Sequence, residues 1–202
     1  MLEEEYEKSR RRVPRHLRRA VPEAEFSYEI RPAEIGDIPD LREIYNYYVT
    51  NSVVTFDEKK WPLAKWREKF DTLQRLGLPM LVAISPAGHV LGYALVQPWA
   101  GKSAYRYTVE DSIYLGPGAS GKGLGRALLA ALIAACEEKG IHEIVAVISD
   151  KGAEGSIALH ERLGFVEVGR MGRVGYKFGR WLGTVYLQKS LKPKKRGLFR
   201  RA

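Results

Sequence analysis

The stretch at residues 116–125 reads GPGASGKGLG and follows the strand-like run YTVEDSIYL. Glycines in such a loop bare the backbone N–H groups, and bare N–H groups at a helix start bind phosphate. Three phosphate-binding patterns overlay these residues. Gly116, Gly118 and Gly121 match the dinucleotide spacing G-x-G-x-x-G. That site also needs an acid roughly 20 residues on, at the end of the next strand, to hold a ribose. Glu143 stands near that distance but precedes the IVAVIS run instead of ending it. Residues 116–123 match the ATP loop G-x-x-x-x-G-K-[ST] except at its last position. A hydroxyl there holds Mg²⁺, and Gly123 has none, although Asp150 imitates the second metal-site acid. The third overlay is SGKGLG at 120–125, which opens a long Ala- and Leu-rich helix. This form grips a pyrophosphate through backbone N–H groups alone, with Lys122 and Arg126 adding charge and no metal required.

The elements that must carry this loop are legible from pattern. FSYEIRPA (26–33) reads as a first strand. The next segment reads as a helix, with Asp37 as its N-cap, Pro39 in its first turn and an apolar stripe of Ile38, Leu41, Ile44, Tyr45 and Tyr48. A second helix covers 63–76 and stops at Gly77 and Pro79. PMLVAIS and VLGYALVQPW flank the turn PAGH as a hairpin. Residues 107–115 make a further strand. The helix after the glycine loop carries Leu124, Leu128, Ala131, Leu132 and Ala135 on one face and ends at Gly140. IVAVIS is apolar throughout, as a strand buried on both faces would be. A short helix closes at Gly164, and FVEVGRM and TVYLQKS read as late strands. The order β-α-α-β-β-β-α-β-α-β-β predicts an α/β fold, a mixed sheet with helices on its faces.

The 202 residues fit one domain, expected at 26–191 between a basic extension at 1–25 and a basic tail at 192–202. The net charge of +9 invites a nucleic-acid reading until it is located. The tail holds six basic groups and no acid, whereas 26–191 holds 20 basic and 18 acidic groups. A solvated end explains that excess, and RNA contact through the tail is the lesser alternative. One cysteine, Cys136, permits no internal disulfide and sits in an Ala/Leu run, as a buried thiol would. No apolar run reaches the ~20 residues of a membrane span, and no secretory signal opens the chain. These features together predict a cytoplasmic protein without membrane partners.

IYL…SGKGLGRALL followed by LHERLGF resembles the GCN5-related N-acetyltransferase superfamily over nearly all of residues 28–191. VVTFDE, LGYALVQPW, AYRYTVEDSIYL, SIALHERLGF and GYKFGRW are similar to the phosphinothricin and methionine sulfoximine acetyltransferase group. The resemblance implies a splayed central sheet, acetyl-CoA as cosubstrate, no metal, a small amine acceptor and a homodimer. Pantetheine would pair with Ile113, Tyr114 and Leu115, and the phosphates would meet Ser120, Gly121, Lys122, Gly123, Leu124, Gly125 and Arg126, with Ser156 alongside.

By the same resemblance Glu110 is the general base, and His160 serves as acid or base near the sulfur. The Leu115 N–H is the candidate oxyanion donor. Arg106 is the expected ligand for an acceptor carboxylate or phosphinate. Phe56 and Trp99 would wall the acceptor pocket, and Lys177 belongs to a motif near it. Two residues depart from the pattern. Ser120 replaces the usual Gln or Arg of the loop, and Ala153 replaces an Asn that can reach the cofactor. The expected reaction is acetylation of the α-amine of a small amino acid. The alternatives are a protein or peptide N-acetyltransferase and a non-catalytic CoA-binding protein.

Overall fold

A computed structural model describes residues 26–192. The expectations for 1–25, and for the tail beyond Lys192, lie outside the described residues. The elements are β1 (Glu29–Pro32), α1 (Ile38–Asn51), α2 (Leu63–Leu76), β2 (Met80–Ile84), β3 (Val90–Pro98), β4 (Thr108–Leu115), α3 (Leu124–Glu138), β5 (Glu143–Ser149), α4 (Glu154–Arg162), β6 (Val166–Lys177) and β7 (Arg180–Ser190). The predicted α/β order is reproduced. One seven-stranded sheet runs β1-β2-β3-β4-β5-β7-β6. The β4–β5 pair is parallel and all others are antiparallel.

Strand alternation explains two cores from one sheet. Met80, Val82, Tyr93 and Leu95 face α1 and α2. Leu81, Ala83, Ala94 and Val96 face the other way, onto Leu124, Leu128 and Leu132 of α3. On β4 the same alternation sends Val109, Ile113 and Leu115 towards α3 and Tyr114 towards α1. Glu110 therefore shares the α1–α2 face, and Asp111 shares the α3–α4 face. Cys136 is fully buried in α3, and burial pushes its thiol up to about 12, which suits a packing role.

Three expectations change. Asp37 does not cap α1 with its side chain. It accepts from the Glu34 N–H at 2.8 Å and pairs with Arg31 at 2.8 Å, so it ties β1 to a short 3₁₀ turn ahead of the helix. The first strand is shorter than predicted. The last two are longer, because they form one hairpin through a turn with φ 49° at Phe178 and 74° at Gly179. Two central residues at positive φ match the right-handed strand twist. Among the described residues no helix is long and apolar enough to cross a membrane.

Candidate active site

β4 and β5 pair only at Thr108↔Glu143, Val109↔Ile144 and Glu110↔Val145. Beyond Glu110 the two strands part, leaving a cleft of about 600 Å³ between them. Ile113 and Leu115 form one wall and Ala146 and Ile148 the other. The direction of the free groups follows from register. The Gly116 N–H donates to Leu91 O at 2.8 Å, which makes Gly92↔Leu115 a non-hydrogen-bonded pair of the β3–β4 ladder. Asp111, Ile113 and Leu115 therefore turn their N–H and C=O groups away from β3, into the cleft. The Leu115 carbonyl accepts from Tyr48 Oη at 2.7 Å. An extended amide chain can complete this edge as a strand would.

The mouth of the cleft is the glycine loop. Gly121 and Gly123 hold φ of 77° and 80°, a region any side chain would strain. That conformation turns the chain into α3, whose first N–H groups have no acceptor within the helix. Ser120, Gly121, Gly123, Gly125, Arg126 and Ser156 line this end. The fully buried Leu124 anchors the turn in the core. No acid stands in the first turn of α3, so nothing opposes an incoming anion there. Lys122 places its Nζ 4.7 Å from the Phe26 ring centre, at the edge of this mouth. A free strand edge ending in an N–H-rich helix start fits a pantetheine arm with a pyrophosphate. Ala153, the N-cap of α4, is buried and makes no side-chain cap, as an alanine must.

At the vertex of the fork lies a pair 49 residues apart in sequence. His160 Nε2 stands 3.0 Å from Asp111 Oδ2, and both side chains are almost wholly buried. His160 Nδ1 stands 2.7 Å from the Ser156 carbonyl. Both partners are acceptors, so each ring nitrogen carries a proton. Burial alone would lower the proton affinity of the ring, but the Asp111 bond and charge outweigh it and raise it. Phe165 meets the ring edge-on at 4.9 Å. Asp111 Oδ1 has no hydrogen-bond partner.

Glu110 sits one residue before Asp111 on the opposite face, half-buried. Burial raises its proton affinity, Asp111 adds to this, and Gln97 and Lys69 oppose it. Asp111, its neighbour, and Ser112, one pleat (about 7 Å) along the same face, both line the cleft, so Glu110 stands just beyond the cleft's inner end.

The α1 side of this end is aromatic and hydroxylated. Tyr114 meets Tyr45 at 5.4 Å and Tyr48 at 5.3 Å between ring centres. Tyr45 Oη donates to Asp57 Oδ2 at 2.5 Å and lies 3.1 Å from Thr55 Oγ1. Lys177, only 2% exposed, donates to the Thr55 carbonyl at 2.8 Å. Phe56 lies flat against Gly175, where an added Cβ would sit 2.6 Å from the ring. The loop before α2 is thus pinned to β6 by Lys177 and Phe56 together. Trp99 is half-buried at the end of β3. Arg106 is exposed on a turn, its guanidinium 4.7 Å from the Tyr107 ring centre, and does not line the cleft. The structure thus gathers Glu110, His160, Leu115 and the loop around one fork but leaves Arg106 outside it. Asp111, Asp57, Lys69 and Gln97 are the residues sequence pattern did not single out, and Tyr48 entered it only as part of an apolar stripe. Their only signals were an acid beside Glu110 and polar atoms inside apolar stripes.

Comparison with known proteins places this geometry. The Acetyltransferase (GNAT) family profile matches residues 41–165. The chain is 44% identical over 168 residues to an L-methionine sulfoximine/L-methionine sulfone acetyltransferase of Pseudomonas aeruginosa, covering 83% of this chain and 97% of that one. It is 39% identical over 162 residues to a phosphinothricin N-acetyltransferase of Alcaligenes faecalis, covering 80% and 82%. A phosphinothricin acetyltransferase of Sinorhizobium meliloti, solved with acetyl-CoA, superposes with a TM-score of 0.78 at 40% identity, covering 85% and 95%. The chain belongs to the GNAT acetyltransferase family. It is an N-acetyltransferase with the mixed-sheet fold that its sequence predicted.

Proposed function

We propose that this enzyme transfers the acetyl group of acetyl-CoA to the α-amine of a small amino acid or analogue of the methionine sulfoximine or phosphinothricin kind. The observation that carries the reading is the fork: a free β4 edge between β5 and an N–H-rich helix start. Names of relatives at 37–44% identity support the acceptor class.

Bound acetyl-CoA supplies a thioester carbonyl open to attack. The cleft edge of Ile113 and Leu115 orients the pantetheine arm. The N–H groups at 121–126 hold the pyrophosphate. Glu110 accepts a proton from the acceptor ammonium, directly or through a water, so the nitrogen lone pair can attack. The Leu115 N–H, aimed into the cleft, stabilises charge developing on the carbonyl oxygen. Collapse of the tetrahedral adduct breaks the C–S bond; the nitrogen gives up its second proton, and CoA leaves as the thiolate, which takes a proton from water. His160 has both ring nitrogens engaged, and we assign it to holding the fork beside the sulfur. Phe56, Trp99 and Lys177 shape the acceptor end, and Arg106 reaches an acceptor anion only by leaving the Tyr107 ring.

Thiol release from acetyl-CoA across a panel of amines tests the acceptor. Methionine sulfoximine, methionine sulfone and phosphinothricin should outpace unmodified amino acids and short peptides. Preference for peptides would transfer the reading to a protein acceptor. Tight CoA binding with no release from any amine would leave only a CoA-binding protein.

We place the reaction in the cytoplasm, where acetyl-CoA is available. We also infer self-association through β6. That edge strand exposes Val166, Val168, Met171, Val174 and Tyr176, a long apolar edge of the kind a second copy covers. Sedimentation would read twice the chain mass, and a monomer at all concentrations would exclude it.

A further inference from the structure

We propose that Lys69 and Gln97 are positioning residues for Glu110: the Lys69 ammonium fixes the Gln97 amide, and that amide holds the carboxylate in place to receive the acceptor's proton. The proposal rests on the reading of Glu110 as general base.

The geometry starts in the ladder. Gln97 and Glu110 are direct partners on β3 and β4. The register derived above makes them a hydrogen-bonded pair, with Cα atoms roughly 5.5 Å apart and side chains on one face. That is the face covered by α1 and α2. Lys69 reaches down from α2, and its Nζ donates to Gln97 Oε1 at 3.0 Å. An ammonium only donates, so it selects the amide's oxygen. The NH₂ group is then what remains to face Glu110, its direct partner across the ladder, and Gln97 favours the ionised carboxylate.

Lys69 is itself held. It is half-buried, with its Nζ 5.6 Å from the Trp61 ring centre and 5.9 Å from that of Trp66. Burial lowers its proton affinity, Glu110 and Asp57 offset this only in part, and Lys65 adds to the lowering. A cation kept in a half-apolar site beside a half-buried carboxylate is a costly arrangement unless it is used.

The consequence for chemistry is specific. A half-buried carboxyl tends to stay protonated and would then be useless as a base. One amide donor and one cation behind it pull it back towards the ionised form. The charged and titratable groups that act on Glu110 are Lys69 from α2 and, from its own strand, Tyr114 and, on the opposite face, Asp111; Lys65 and Asp57 act on Lys69. From β3 it meets the amide of Gln97, and across β4 its partner on β5 is the apolar Val145.

The test compares pH profiles of kcat/KM for wild type, Lys69→Met and Lys69→Arg, with thermal melting to confirm folding. Lys69→Met should lower kcat on the order of 10- to 100-fold through misplacement of the base. Its acid limb should move to higher pH, because removing a cation favours the protonated carboxyl. KM for the acceptor should change little, and Lys69→Arg should restore both the rate and the limb. A raised acceptor KM with an unmoved limb would make Lys69 a ligand of the acceptor and overturn the proposal. So would a Lys69→Met enzyme with wild-type rate and profile while Glu110→Gln is slow. If Glu110→Gln itself keeps the wild-type rate, the base reading has failed, a different result from failure of Lys69 alone.

Discussion

Glu110→Gln lowers kcat about 10²–10⁴-fold, the usual worth of a positioned general base. The substitution keeps the shape of the side chain and removes its charge and its ability to take a proton. Acetyl-CoA affinity should stay within about twofold, because Glu110 lies beyond the residues that line the cleft. The wild-type profile carries a matching sign. Burial raises the proton affinity of Glu110, Gln97 opposes it, Asp111 adds to it and Lys69 opposes it. With Glu110 as the base, the ionised form would be the active one, and kcat/KM should fall as pH drops through the raised pKa. In Glu110→Gln that acid limb disappears. Steady-state rates alongside calorimetric titration of CoA check both halves, and a variant with wild-type turnover would remove Glu110 from the chemistry.

The second large effect is on stability. Asp111→Ala leaves the His160 imidazolium buried beside nothing that balances it. Breaking a buried pair from one side costs about 3–5 kcal/mol, against a typical total of about 5–15 for a whole domain. The urea midpoint should fall steeply, and the fork should loosen with it. Replacing both partners separates the pair from the space it fills. Asp111→Leu with His160→Phe should recover most of the loss, because well-packed apolar groups often replace a buried ion pair without penalty.

Protonation gives an independent check on the same pair. The folded-state pKa of His160 is raised, so its contribution is full below the unfolded value of about 6.5 and is lost as pH rises through the folded one. Wild-type stability should therefore decline as pH rises above about 6.5 and through the raised folded-state pKa, and His160→Phe should flatten that decline. A pair of single mutants with unchanged midpoints would contradict the assignment of this pair to the fork.

How far the sequence reached differs by kind of information. The glycine loop and α3 were legible because both are local: turn glycines, then a run of strong helix formers. β4 and β5 were legible as strands, but the end of their pairing was not. That end lies between Glu110 and Asp111 and is set by contacts across the sheet. The Asp111–His160 pair spans 49 residues, and no periodicity reports on it. Lys69, Gln97 and Glu110 come from α2, β3 and β4, so their meeting needs both the ladder register and the helix above it. β6 was under-read because Gly172 and Gly175 break its pattern and its exposed edge does not alternate. Arg106 shows the reverse error of reach. Its chemistry suits an anion, yet the turn between β3 and β4 lays it over Tyr107, outside the cleft.

The central claim is that the fork delivers an acetyl group from acetyl-CoA straight to an α-amine. The most direct measurement follows thiol release and product mass together, with acetyl-CoA and a methionine sulfoximine-type acceptor both varied. The account predicts one thiol released for each α-N-acetyl product, negligible release without the amine, and converging double-reciprocal lines. Thiol release without acceptor, an acetylated enzyme with parallel lines, or no N-acetyl product at all would contradict it.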